Sequence, residues 1–371
     1  MARLTTRIGL ITAGLLLIGA TQGQNRPEDP SPGNGTLYLG VFSKKIVIID
    51  EATGAVTGEI RLKTGMPRQM SLSHDRKRFY VMNANMEEME VVDISSRRVL
   101  DTFRIGEGDK KVRIRSFQVD PQNRYMIFLT KTTTKLADRF EIGPPMLLQY
   151  DLKEHRVFRT IPWPKNEERE FANILFSPDG KFLYFFSDDV LIYDTTEFKQ
   201  VDKWEISRPI EQGFGRIDFG ALDIINEEPG FFTGLFTVQD PVQNRRVMGV
   251  ARVNLSEKSV DFYALGPATR VSFSLAPGRK RAYGLMEQVG RHEFWTFDLE
   301  NRRLQGKTEF AGRPRMELKT SSNGRILYIH EAGNTIDLYD AATYRHLRTI
   351  TLDADMATDL YVMPPAGSAG K

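Results

Sequence analysis

The feature that most constrains this chain is a short strand ending in an acid or its amide, repeated seven times. IVIID closes at Asp50, MEVVD at Asp93, LLQYD at Asp151, VLIYD at Asp194, VARVN at Asn254, FWTFD at Asp298 and IDLYD at Asp340. Successive spacings are 43, 58, 43, 60, 44 and 42 residues, in the range of propeller and solenoid units. A few polar positions and a new apolar or β-branched start follow each one, as in DEATGAV and DISSRRV. That pattern is strand, turn, strand, with the Asp or Asn side chain accepting from backbone amides about two residues onward. Seven equivalent acids cannot all be active-site groups, so their role is structural.

A second motif precedes each first strand pair: SHDRKRFYV at Ser73, FSPDGKFLYFF at Phe176, LAPGRKRAYGL at Leu275 and TSSNGRILYIH at Thr320, with VDPQNRYMIFL at Val119 as a looser copy. Its Pro, Asp, Asn and Gly supply a tight turn between two alternating strands. Each unit is therefore four antiparallel strands, A to D. One such sheet cannot bury both its faces, but sheets packed radially in a closed ring do so and leave only short edges. The expected fold is all-β, a seven-bladed β-propeller spanning residues 36–363. The first unit opens at Thr36 on a B strand and lacks an A strand. ATDLYVM, from Ala357 to Met363, follows the last unit and supplies it, so the C-terminal strand is expected to close the ring.

Residues 1–23 have the layout of a secretory signal: Arg3 and Arg7, then an apolar run from Ile8 to Ala20, then small and polar residues. The run is shorter than the roughly 20 residues of a comfortable membrane span, which favours cleavage over stable insertion. Residues 24–35, rich in Pro and Gly, read as a flexible linker, and 364–371 as a disordered tail. The expected location is periplasmic or secreted. The absence of cysteine excludes disulfides, thiolate metal sites, covalent c-type haem and thiol nucleophiles. Formal charge is +3, and loss of the two leader arginines brings it near neutrality, so no nucleic-acid partner is expected.

SPDGKFLYFF, VLIYDTTEFKQV and the GxP loops at Gly65 to Pro67 and Gly312 to Pro314 resemble the YVTN-type propeller repeats of exported bacterial proteins. The chain is also similar to the propeller subunits of amine dehydrogenases. The resemblance covers nearly the whole mature chain, the fifth blade least, and implies a fold rather than an activity.

Strand order puts the A–B and C–D turns on one face and the B–C and D–A connections on the other. The first set is expected to be short throughout. The second carries the insertions Thr132 to Pro145, Trp163 to Glu170, Arg208 to Arg216 and Gln239 to Arg246, which marks it as the working face. Arg68, Arg115, Arg216, Arg270 and Arg315 are expected in the D–A connections of that face, just before the inner strands, and His292 lies in a B–C connection. Converging guanidinium groups suit carboxylate or phosphate. The alternative is a solvated rim paired with Glu170, Glu211, Glu317 or Asp359.

Met66, Met70, Met82, Met86 and Met89 form a second candidate, either a thioether metal site or flexible core filling. No cofactor is implied by any motif. His74, His155 and His346 fall on the turn face, and no hydrolytic triad, calcium loop or phosphate loop is present. The pairs Glu87/Glu88, Asp188/Asp189 and Glu227/Glu228 read as solvated loop charges. The expected function is non-catalytic binding of a protein partner or a small anionic ligand. The alternatives are a propeller subunit of an amine-dehydrogenase-like redox complex, or a lactonase-like hydrolase.

Overall fold

A computed structural model describes residues 29–365 and 367, except 187–188, 207–216, 220–222, 224, 241 and 331–332, with backbone alone for 217–219. The expected leader, residues 24–28 of the expected linker and most of the expected tail lie outside these residues. Among the described residues no helix is long and apolar enough to cross a membrane.

The chain folds as seven four-stranded antiparallel sheets. β1 (Thr36–Val41), β2 (Lys45–Asp50) and β3 (Val56–Arg61) are strands B, C and D of blade one. Blade two is β4 (Pro67–Leu72), β5 (Arg78–Asn83), β6 (Glu88–Asp93) and β7 (Arg98–Arg104). Blade three is β8 (Lys110–Val119), β9 (Tyr125–Lys135), β10 (Phe140–Asp151) and β11 (Arg156–Ile161). Blade four is β12 (Asn173–Phe176), β13 (Phe182–Phe186), β14 (Val190–Asp194) and β15 (Gln200–Trp204). Blade five is β16 (Ile217–Phe219), β17 (Phe231–Asp240), β18 (Arg245–Asn254) and β19 (Ser259–Pro267). Blade six is β20 (Ser274–Leu275), β21 (Arg281–Gln288), β22 (Arg291–Asp298) and β23 (Arg303–Phe310). Blade seven is β24 (Glu317–Thr320), β25 (Ile326–His330), β26 (Thr335–Asp340) and β27 (His346–Thr351). The last strand, β28 (Met356–Met363), pairs with β1 as the inner strand of blade one, so the ring closes as expected.

Every C strand ends on its repeated Asp or Asn, and all seven side chains accept turn amides. Asp93 Oδ1 accepts from Ser96 N at 2.7 Å, Asp151 Oδ1 from Lys153 N and Glu154 N at 2.8 Å, and Asn254 Oδ1 from Ser256 N at 3.1 Å. Asp50, Asp194, Asp298 and Asp340 do the same. Between blades, alternate strand residues interdigitate. Leu37, Leu39, Val47 and Ile49 of blade one pack on Tyr328, Ile336 and Leu338 of blade seven, whereas Ile46 and Ile48 face Phe79 and Val81 of blade two.

Residues 29–35 are not a loose linker. Asp29 pairs with Arg345, Asn323 Nδ2 donates to Ser31 O at 2.8 Å, and Pro32 and Gly35 are buried on blade seven. Glycine and proline here give a close-fitting path along the seam rather than freedom. The expected insertion 132–145 and the described residues of 239–246, all but 241, form the tips of the β9–β10 and β17–β18 hairpins, whose pairing runs on past the blade.

The turn acids predict an acid sensitivity. The Ser96 hydroxyl and amide, with the Ser95 hydroxyl, bring Asp93 down to about 2; Thr53 lowers Asp50, the Glu197 amide Asp194, and Asn301 Asp298. Depressed folded-state values contribute stability that is fully present above the unfolded carboxylate value of about 3.9 and is lost as pH falls toward 2. Melting temperature measured across pH 6 to 2 is expected to drop steeply below about pH 4. Asp93→Asn, which keeps an acceptor but does not titrate, is expected to flatten that drop.

Candidate functional site

Two of the expected arginines stand where the inner strand gains a residue. Pro67 pairs with Asn83 and Gln69 with Met82, which leaves Arg68 as an unpaired bulge in β4. Arg115 occupies the same position in β8, between Ile114 and Ser116. In β28 the register also breaks, over residues 357–359, opposite Gly40. Gly40 N donates to Thr358 Oγ1 at 2.9 Å, and a Cβ at residue 40 would lie 2.7 Å from Thr358 Cγ2, so glycine is required there. Bulges re-aim side chains and end regular pairing, and they recur beside functional sites.

Arg270 and Arg315 lie in the D–A connections that lead into blades six and seven. Arg68, Arg270 and Arg315 are exposed and their guanidinium groups make no ion pair among the described residues. Arg115 is half-buried, 5.5 Å above the Phe171 ring. Arg216 lies outside the described residues, as does Glu211. Of the acids expected to neutralise these cations, Glu170 binds Lys131 at 2.5 Å and also feels Arg115, and Asp359 binds Lys319 at 2.8 Å. The connections themselves are tied down. Buried Glu90 accepts from Lys63 N at 2.9 Å and Thr64 N at 2.6 Å, just ahead of Arg68. Asp337 pairs with Arg313 at 2.7 Å, just ahead of Arg315.

Apolar side chains surround this mouth. Phe42, Phe140, Ile142, Val242 and Val289 sit at the B–C tips of blades one, three, five and six, and Phe171 in the connection between blades three and four. Each is more than half exposed. They extend around much of the face, farther than a small ligand reaches.

Within the channel, Asp359 joins two basic groups at the closure seam. Its Oδ2 contacts Lys319 Nζ at 2.8 Å and its Oδ1 contacts His330 Nε2 at 3.0 Å. Enclosure by the wall acts to raise the Asp359 carboxyl, but His330 and Lys319 outweigh it and hold it below the usual range. Lys319 is raised: enclosure opposes its charge, and Asp359, Asp223 and Glu317 outweigh that. The Asp359 side chain is 48% exposed to the channel, while His330 is fully buried.

The expectation of short turns throughout the opposite face fails at blade five. The described part of its A–B connection, residue 223 and residues 225–230, reaches across the channel end. Arg76 of blade two donates to Ile225 O at 2.9 Å, and Asn226 Nδ2 donates to Leu275 O of blade six at 2.8 Å. Ile225 packs with Tyr361 and Met363 in the core between blades one and two. This plug follows from its chemistry: Asp223 folds it by accepting from Ile225 N and Asn226 N, both at 3.0 Å.

The remaining expected residues are dispersed. Met82 and Met89 face each other across the β5–β6 ladder and, with Met86, join the core between blades two and three. Met70 packs on the other side, between blades one and two, and Met66 is half-buried. The structure does not gather these five around one point. His292 lies on β22, two strands out from the channel, against Gly312 and 6.0 Å from the Phe310 ring. Two of the acidic pairs are not solvated as expected. Glu227, within the plug, is buried, and Asp189 is buried against Lys203 at 2.8 Å; Asp188 lies outside the described residues.

No protein-family profile matches the chain, and no curated protein matches it in sequence. Solved structures are similar to it in fold. A functionally unknown protein from Desulfotomaculum acetoxidans aligns at TM-score 0.54 and 13% identity, over 90% of this chain and 100% of that one. The Pseudomonas aeruginosa periplasmic gluconolactonase PpgL aligns at 0.52 and 12%, over 89% and 99%. The dihydro-heme d1 dehydrogenase NirN aligns at 0.50 and 12%, over 91% and 77%. At such identities the likeness shows the architecture alone, and this chain is a seven-bladed β-propeller.

Proposed function

We propose that the chain is an exported, non-catalytic binding propeller whose long-loop face engages a protein partner presenting acidic and apolar side chains. One observation carries the reading: Arg68 on an inner strand and Arg270 and Arg315 in D–A connections make no ion pair among the described residues, inside a rim of exposed apolar tips. Arginine forks match carboxylates and steer an acidic partner, while apolar tips give a macromolecule area to bury. The leader-like residues 1–23 support export.

The test compares proteins retained from an extract of the source cells by three immobilised chains. R68E/R270E/R315E is expected to lose at least about tenfold of what the wild type retains, an effect of 1.4 kcal/mol or more. Reversal of Lys77, Lys181 and Lys280, on the turn face, is expected to leave retention unchanged. Equal retention by all three chains, or none by the wild type, contradicts the reading.

A further inference from the structure

We propose that a cavity on the turn face, beneath the plug, is a binding site for a small organic cation, an alkylammonium of a few carbons. The cavity has a volume of about 210 Å³ and lies among the A–B turns of blades two, three and four, residues 227–230 of the plug and Phe231 at the start of β17. It is on the opposite side of the ring from the arginine mouth, so it stands or falls independently of that reading.

Three features define the chemistry. First, the Glu227 carboxylate lines the cavity at 8% exposure. Its Oε1 accepts from Glu228 N at 2.9 Å, but Oε2 has no hydrogen-bond partner among the described residues. A buried carboxylate oxygen without a donor is destabilised, which an incoming N–H group relieves. Second, no cation pairs with Glu227 among the described residues, although Arg76 is part of the cavity wall. Arg76 donates to Ile225 O, and Arg252 binds Glu228 at 2.5 Å while covering the Phe231 ring at 4.2 Å. Third, Leu72, Val119, Leu175, Phe176 and Phe231 give the cavity an apolar wall for an alkyl stem, and aromatic rings attract an ammonium. An anion is repelled by Glu227, and a neutral molecule leaves its charge uncompensated.

Binding of n-butylammonium, 1-butanol and butyrate to the full chain tests this by calorimetry and thermal melting. The ammonium is expected to bind with a Kd below about 1 mM and raise the melting temperature. The alcohol and the carboxylate are expected to do neither. E227Q, isosteric and neutral, is expected to weaken ammonium binding at least tenfold while keeping the wild-type circular dichroism spectrum. F231L retains the acid and an apolar wall without the ring, and is expected to weaken it several-fold. F231L also keeps the test open if E227Q fails to fold. Equal responses to ammonium and alcohol, undiminished binding by both variants, or no ammonium binding at about 10 mM overturn the proposal.

Discussion

Ending the chain at Asp355 is expected to abolish cooperative folding. That truncation removes β28, the inner strand of blade one, together with its ladder to β1. Met356, Leu360 and Val362 are all buried in the core between blades seven and one. At about 1.5–3 kcal/mol for each apolar side chain, their loss alone is about 5–9 kcal/mol. That is comparable to the whole stability of a typical domain, about 5–15 kcal/mol. The truncation also exposes β1 as an open sheet edge, a template for aggregation. Far-UV circular dichroism on heating and limited proteolysis read the result. A truncated chain that melts cooperatively within a few degrees of the intact one contradicts the closure. Leu360→Ala, a milder cut at the same strand, is expected to cost about 2–5 kcal/mol.

Glu51→Ala is expected to cost about 3–5 kcal/mol, measured by urea unfolding. Glu51 is buried in the C–D turn of blade one and binds across the seam to blade seven. Its carboxylate accepts from Gly35 N at 2.6 Å, Ser322 N at 2.7 Å and Tyr328 Oη at 3.2 Å, and also from the Ser322 hydroxyl. Alanine leaves two backbone donors and two hydroxyls in a protein interior without an acceptor. Glu51→Gln retains one acceptor oxygen but turns an amide NH2 toward donors, and is expected to fall between the two. A cost under about 1 kcal/mol for alanine shows that the seam relies on β28 alone.

Much of this architecture was legible in the sequence because it depends on local chemistry. An Asx turn needs its acid at one fixed place, so the seven C strands are readable from Asp50 to Asp340. Closure was legible because blade one lacked a strand and one strand was left over. The arginine positions were legible as residue types ahead of inner strands. Their setting was not: the bulges at Arg68 and Arg115 exist only as a mismatch against β5 and β9, and register is a property of two strands together.

The plug was missed for a related reason. Residues 220–230 resemble a degenerate loop, and their partners Arg76, Leu275 and Tyr361 come from three other blades. Glu51, Glu90 and Glu227 look like ordinary surface acids, because nothing local marks which carboxylate will collect backbone amides. The methionines illustrate the opposite case. Core filling was one of the two readings open for Met82 and Met89, and the ladder that opposes them places them in the core.

The central claim is that the long-loop face is where this propeller meets its partner. It is tested most directly by a photo-activatable amino acid placed singly at Phe42, Val242 and Val289, and at Val56 and Val201 on the outer strands β3 and β15. All five positions are exposed, so each substitution leaves the core intact. After irradiation in cell extract, the account predicts one common protein adduct from the three tip positions and none from the two outer-strand positions. Adducts from the outer strands alone, or no adduct from any tip, would contradict it.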